Sequence, residues 1–195
     1  MLWRGRRKAQ QVKRKIPCKV MKVTLEQKQK LEEVYQAFLN DEKIKRMQNI
    51  SMHRGSNCYE HSFKVAKFAM KIALRGNKKN LNLEALLIGA ILHDYYLYDW
   101  RKERSNKKRH TRKHPYRASE NATRDFEISK EIKKIIETHM WPFNFKDFPN
   151  TKEARIVSIA DKNVACCEAF TSIAYKNKHR QKYLDYISTL FPIGK

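Results

Sequence analysis

The chain has 195 residues, enough for one domain with a sizeable core, and two domains would be a squeeze. Its 43 Lys and Arg against 20 Asp and Glu give a formal charge of +23, which implies anionic partners (phosphates, nucleotides or nucleic acid) and says nothing about fold. No apolar run reaches the roughly 18 residues of a membrane span, no apolar stretch follows the basic N-terminus as a secretory leader requires, and Cys18, Cys58, Cys166 and Cys167 show no CxxC spacing, so the expectation is a cytoplasmic protein whose thiols are reduced and mostly packed.

Met1 to Val23 carries nine Lys or Arg and no acidic residue, and reads as a solvated arm (residues 1–23) with nucleic-acid binding as the sharper alternative. Residues 24–195 read as a single helical domain. Thr24 opens the first helix, where TLEQ forms a capping box, and Leu31, Val34, Tyr35 and Phe38 follow at helical spacing. Asp41 to Ile50 continues that pattern. A helix from about Asn57 to Arg75 carries the stripe Val65, Phe68, Ala69 and Ile72 and stops at Gly76. Counting back from that stripe places His61 on the buried face.

The segment Leu83 to Trp100, capped by Asn82, is apolar all round in its middle (LLIGAIL), as a central buried helix would be. It delivers His93 and Asp94 side by side, with Leu86, Ala90, His93 and Leu97 on one stripe. Arg101 to Arg117 holds nine basic residues and one Glu without hydrophobic period, so an exposed loop is predicted. Pro115 then suits the first position of a new helix, with His114 as its cap or predecessor. Ser129 caps EIKKIIETH, where Ile132, Ile135 and Ile136 set a stripe that His139 extends, and Pro142 closes it. FNFKDFPNT reads as a loop with aromatic anchors. The last clear helix, Lys152 to about Tyr175, places Asp161 among Ala154, Val157, Ser158, Val164, Ala165 and Glu168 on one face, and a final amphipathic segment spans Gln181 to Phe191. No repeat and no convincing strand emerges, so the expected fold class is all-α. His53, His110 and His179 lie in polar stretches and are expected to face solvent. Trp141 and Phe143 suit core or loop packing, with base stacking as the alternative.

His61, His93 with Asp94, His139 and Asp161 therefore fall on four predicted helices, each set with an inward member. A buried imidazole or carboxylate is costly unless paired. Convergence on a divalent metal accounts for all of them at once, against an internal His–Asp hydrogen-bond network.

At this point the sequence resembles the HD superfamily of metal-dependent phosphohydrolases, which carries a first His, an HD doublet and a distal Asp on an all-helical core. The matching residues are His61 in YEHSFKVA, His93 and Asp94 in ILHDYY, and Asp161 in IVSIADKNVA, over roughly Ser51 to Phe170. His114 in KHPYRASENA and His139 in IIETHMWP stand where two-metal members insert further histidines. The resemblance implies an HD-domain helical bundle around the central helix. His61, His93, Asp94 and Asp161 would hold one metal, and Asp94 would bridge to a second held by His114 and His139. The ions would be divalent Fe, Mn, Ni or Zn. They would activate a water for in-line attack on a phosphate ester or anhydride, with a nucleotide as the expected substrate. Asp94, Arg117 and Lys162 are the candidate catalytic residues, Arg117 as a phosphate contact one turn beyond His114. Two features depart from the family pattern. Met140 follows His139 where some branches have a second histidine, and Tyr95, Tyr96 and Leu97 follow the doublet where many members have a small residue, then Gly or Ala, then Lys. The general acid and the substrate class therefore do not transfer. The alternatives are a di-iron oxygenase on the same fold and a non-catalytic protein with a structural metal that binds nucleic acid through the basic arm and loop.

Overall fold

The computed structural model describes residues 23–52, 56–75, 80–99 and 107–174. Residues 1–22 of the basic arm, His53, Arg101–Asn106, His179 and the segment Gln181 to Phe191 lie outside them. Seven α-helices are formed among the described residues: α1 (Leu25–Asn40), α2 (Glu42–Lys45), α3 (Cys58–Arg75), α4 (Leu83–Leu92), α5 (Lys107–Phe126), α6 (Lys130–Thr138) and α7 (Lys152–Ala174). A 3-10 turn, Arg46–Asn49, follows α2, and one isolated bridge joins Ser51 to Asn57. There is no strand among the described residues, and no helix among them is long and apolar enough to cross a membrane.

The helix starts follow from local chemistry. The Thr24 hydroxyl accepts from the Gln27 amide at 3.2 Å while Gln27 Oε1 accepts from the Thr24 amide at 3.1 Å. Asn82 caps α4 through the Ala85 amide at 3.0 Å, and Ser129 caps α6 through the Ile132 amide at 3.3 Å. Asn82 is itself held, its amide by Glu153 on α7 and its side chain by Glu131 on α6. One cap residue thus ties together the entries of three helices.

Helix α4 is the axis of the fold and packs against α1, α3, α5, α6 and α7. Leu83, Ala85, Leu86, Leu87, Gly89, Ala90, Ile91 and Leu92 are all buried, as a sequence apolar on every face after its first-turn Glu84 requires. Gly89 lets α6 approach closely: a Cβ there would stand 2.7 Å from Ile135 Cγ2. Helices α3 and α7 contribute small residues to the same core, Ala66, Ala69 and Ala73 against Ala154, Val157 and Ala160.

Three expectations are corrected. The central helix does not carry the stripe Leu86, Ala90, His93 and Leu97 to its end. It ends at Leu92, and Leu97 adopts a positive φ of 54°. Tyr95 and Tyr96 are buried, and the Asn121 side chain donates to both of their carbonyls at 3.1 and 3.0 Å, which fixes a non-helical path. The basic stretch before Arg117 is not a loop from end to end: α5 begins at Lys107, so His114 and Pro115 lie inside it. Proline cannot donate to the carbonyl four residues earlier, Thr111 O. The Asn144 side chain donates to that oxygen instead, at 3.1 Å, so a tertiary contact replaces the missing helical bond. Finally, the loop after α6 does not bury its aromatic residues: Trp141 and Phe148 meet edge to face at 5.5 Å, but Phe148 is 48 % exposed and Phe143 and Phe145 are 70 % and 82 % exposed.

Candidate metal centre

Five helices deliver six side chains to one buried point. His61 projects from the first turn of α3, His93 and Asp94 from the end of α4, His114 from the middle of α5, His139 from the end of α6 and Asp161 from α7, and all six are buried. Three imidazoles are oriented the same way. His93 Nδ1 bonds the Ala90 carbonyl at 2.8 Å, His114 Nδ1 the His110 carbonyl at 3.1 Å and His139 Nδ1 the Ile136 carbonyl at 2.7 Å. A carbonyl only accepts, so the proton of each neutral ring sits on Nδ1 and the lone pair on Nε2.

Those Nε2 atoms converge on the two oxygens of Asp94. Oδ2 lies 3.3 Å from His93 Nε2 and 4.0 Å from His61 Nε2, whereas Oδ1 lies 3.2 Å from His114 Nε2 and 3.6 Å from His139 Nε2. Asp161 Oδ1 joins the first group, 3.1 Å from His61 Nε2 and 3.8 Å from His93 Nε2. His114 Nε2 and His139 Nε2 stand 3.0 Å apart. Ligands roughly 2.0–2.2 Å from a common ion stand roughly 2.8–4.4 Å from one another. The separations seen here fall in that range, so these side chains could hold metal. Two groupings share Asp94, one with His61, His93 and Asp161 and a second with His114 and His139, and a further grouping of His93, His139 and Asp161 links them.

The donor set fits a cation on a further ground. His93 Nε2 and Asp94 Oδ1 are buried without a well-aligned hydrogen-bond partner. In the second set, two imidazole nitrogens and a carboxylate oxygen crowd one buried point, where a cation would be held by all three. Imidazole with carboxylate selects borderline transition metals over Ca²⁺, which prefers oxygen alone.

The supporting residues set orientation. Glu168 Oε2 lies 2.9 Å from His61 Nδ1, and its other oxygen accepts from Lys64 Nζ at 3.0 Å. A carboxylate behind a ligating histidine fixes the ring and raises its basicity. Lys162 Nζ donates to Asp161 Oδ2 at 2.7 Å and to the His139 carbonyl at 2.9 Å, leaving Asp161 Oδ1 toward the cluster. The Cys58 thiol donates to the Asp94 carbonyl at 3.1 Å, and burial pushes its pKa well up, so it stays protonated. Ser158 Oγ holds the Trp141 carbonyl at 2.7 Å.

The ionisation states reflect this packing. Burial opposes charge on His61, but its bonds to Asp161 and Glu168 outweigh burial and lift its pKa to about 10. Burial also opposes charge on Asp94, yet His93 and His114 hold its carboxyl well below the usual range. For Asp161, Lys162 and His61 do the same. Burial together with the neighbouring His93 and His114 keeps His139 neutral, with its pKa driven well down.

Arg117 is exposed, and its guanidinium lies 5.6 Å over the Tyr98 ring. Tyr98 packs edge-on against Tyr96 and His110, and both Tyr96 and His110 contact His114, so aromatic rings separate Arg117 from the cluster. His110, expected in solvent, is half-buried: its Nδ1 lies 2.9 Å from the Tyr98 hydroxyl and its ring stacks on His114 at 4.7 Å. The i, i+4 spacing of the two histidines carried that signal once α5 is known to start at Lys107. Glu168 was on the predicted inward face of α7, seven residues beyond Asp161, and that spacing was the signal for its place behind His61.

Fold and site together define a class: an all-helical protein whose core is built around a buried His/Asp cluster able to hold divalent metal. Residues 58–165, more than half of the chain, match the HD domain family, and the chain belongs to it. That family consists largely of metal-dependent hydrolases. No curated protein and no solved structure matches the chain.

Proposed function

We propose that the protein is a phosphohydrolase that cleaves a phosphate ester or anhydride, with a nucleotide as substrate, at a centre of one or two divalent Fe, Mn, Ni or Zn ions. The observation that carries this reading is the convergence of three oriented Nε2 lone pairs on the two oxygens of one carboxylate, Asp94. When bound, such ions lower the pKa of water and neutralise phosphate oxygens.

The chain supplies the rest. His61, His93, Asp94 and Asp161 would hold one ion, and Asp94, His114 and His139 would hold a second where two bind. Asp94 can serve both because its two oxygens face opposite sets. Glu168 holds His61, and Lys162 holds Asp161, so neither ligand must reorganise when charge develops on the phosphate. The first eleven residues of α5, Lys107 to Arg117, carry six Lys or Arg and no carboxylate, which favours the approach of a phosphate. Arg117 is retained as a phosphate contact that needs its side chain to leave the Tyr98 ring.

The test is elemental analysis of protein purified without a His tag, then hydrolysis assays on nucleotides and simple phosphate esters with the reconstituted protein. Asp94→Ala is expected to lose both metal and hydrolysis while keeping its helical circular dichroism. Full activity in that variant, or no metal after reconstitution, overturns the assignment. Oxygen uptake by iron-loaded protein without hydrolysis would redirect it to a di-iron oxygenase.

A further inference from the structure

The loop between α6 and α7 spends its polar contacts on holding itself still. Asn144 is buried and bonded to Thr111 on α5, and its amide bonds the Met140 carbonyl at 3.2 Å. Asp147 accepts from the Tyr116 hydroxyl, and its amide bonds the Asn144 carbonyl at 3.1 Å. Phe148 lies between the Trp141 ring and the Arg155 guanidinium. Because Asn144 is pinned inward, its neighbours Phe143 and Phe145 are turned out. Two phenyl rings are thus displayed on an anchored loop, 70 % and 82 % exposed. Scattered exposed apolar residues are ordinary on protein surfaces. Two on one anchored loop beside a buried metal-ligand cluster are not.

Their surroundings specify the partner. Lys162 Nζ is 5.6 Å from the centroid of Phe143 and 2.7 Å from Asp161 Oδ2, so one ammonium joins the ring to the cluster. Lys146, Lys152 and Arg155 are exposed around the loop. The Asn144–Thr111 bond sets the loop against the cationic half of α5, where Arg109, Arg112 and Lys113 are exposed. Aromatic faces set among cations are how proteins hold single strands: rings stack on bases and cations follow the phosphates. A lipid surface would also meet the charge, but it has no use for rings placed beside a metal cluster.

We propose that Phe143 and Phe145 form a base-stacking platform for single-stranded nucleic acid, which directs a phosphate of the strand to the His/Asp cluster. The binding stands on the loop alone; the delivery of a phosphate for cleavage rests on the phosphohydrolase reading.

The experiment is fluorescence anisotropy with a labelled ten-nucleotide single-stranded DNA, its abasic counterpart and anionic phosphatidylserine vesicles. It uses the full chain without added metal, so that turnover plays no part. The Phe143→Ala/Phe145→Ala protein is expected to bind the base-bearing strand about tenfold or more weakly and the abasic strand as tightly as wild type does. Phe143→Tyr/Phe145→Tyr is expected to restore binding, which separates stacking from a folding defect. Equal binding of the strand by wild type and the Ala variant, equal losses for both oligomers, or a loss confined to vesicles each overturns the platform. A failure of hydrolysis by reconstituted wild type, with binding intact, would instead count against the phosphohydrolase reading.

Discussion

Gly89 offers the most direct test of how the site is held together. It lies where α4, which carries His93 and Asp94, meets α6, which carries His139. An alanine Cβ would stand 2.7 Å from Ile135 Cγ2, 3.1 Å from Cβ and 3.3 Å from Cδ1. Carbon atoms prefer separations of about 3.5–4.0 Å, so the closest contact is short by about 1 Å. Ile135 is fully buried, which leaves it no room to yield. Overpacking of this kind costs about 1–3 kcal/mol, and the gain in helix propensity from Gly to Ala returns at most about 1 kcal/mol. A contact as short as 2.7 Å falls toward the upper end of that cost, about 2–3 kcal/mol, which leaves a net loss of about 1–2 kcal/mol, or a melting temperature lower by roughly 2–8 °C for a chain of this size. Pushing the helices apart also widens the 3.6 Å gap between His139 and Asp94, so metal binding in the second set should weaken. Thermal unfolding of the metal-free protein reads the first effect and titration calorimetry the second. Ile135→Ala removes Cγ2, so the double variant should show favourable coupling of at least about 1 kcal/mol in a mutant cycle. A Gly89→Ala protein at least as stable as wild type would refute the close approach.

The remaining predictions concern individual residues. His114→Ala and His139→Ala should each lower metal content by one ion per chain if two bind, leaving the set around His61 loaded; loss of all metal in either would mean that the sets are not separable. Glu168→Ala should weaken metal binding by about 10–100-fold, with Glu168→Gln recovering part of it, because the residue orients His61 rather than ligating; unchanged affinity would remove that role. In the metal-free protein the pKa of His61 is raised to about 10 from 6.5, so its charge stabilises the fold fully below pH 6.5 and that contribution is lost as pH rises through 10. An ion can take Nε2 only after the proton leaves, so metal affinity should rise with pH across that window, with protons released on binding; calorimetry in buffers of different ionisation enthalpy would expose a flat response. Asn144→Ala should cost about 1–3 kcal/mol by leaving the Thr111 carbonyl without its donor. In a Pro115→Ala background the backbone N–H returns, and the cost of Asn144→Ala should shrink; equal cost in both backgrounds would show that the contact is not what replaces the missing bond.

Much of this protein was legible along the chain because it is local. Capping residues at Thr24, Asn82 and Ser129, the apolar run of α4 and the stripes of α3, α6 and α7 depend on neighbours three or four residues away. The same periods turned His61, His139 and Asp161 inward, and the HD doublet completed a pattern matched by its family. The tertiary structure decided what lies between elements. The end of α4 is set by Asn121, far along the chain, which takes two carbonyls that would otherwise continue a helix. Helix α5 runs through Pro115 because Asn144, on another loop, supplies the donor that proline lacks. That same bond turns Phe143 and Phe145 outward. The gathering of six ligand-type residues around Asp94 arises only when five helices converge on one point. Periodicity fixes the face a side chain takes on its own helix, whereas the partner it meets across the core depends on how those helices pack.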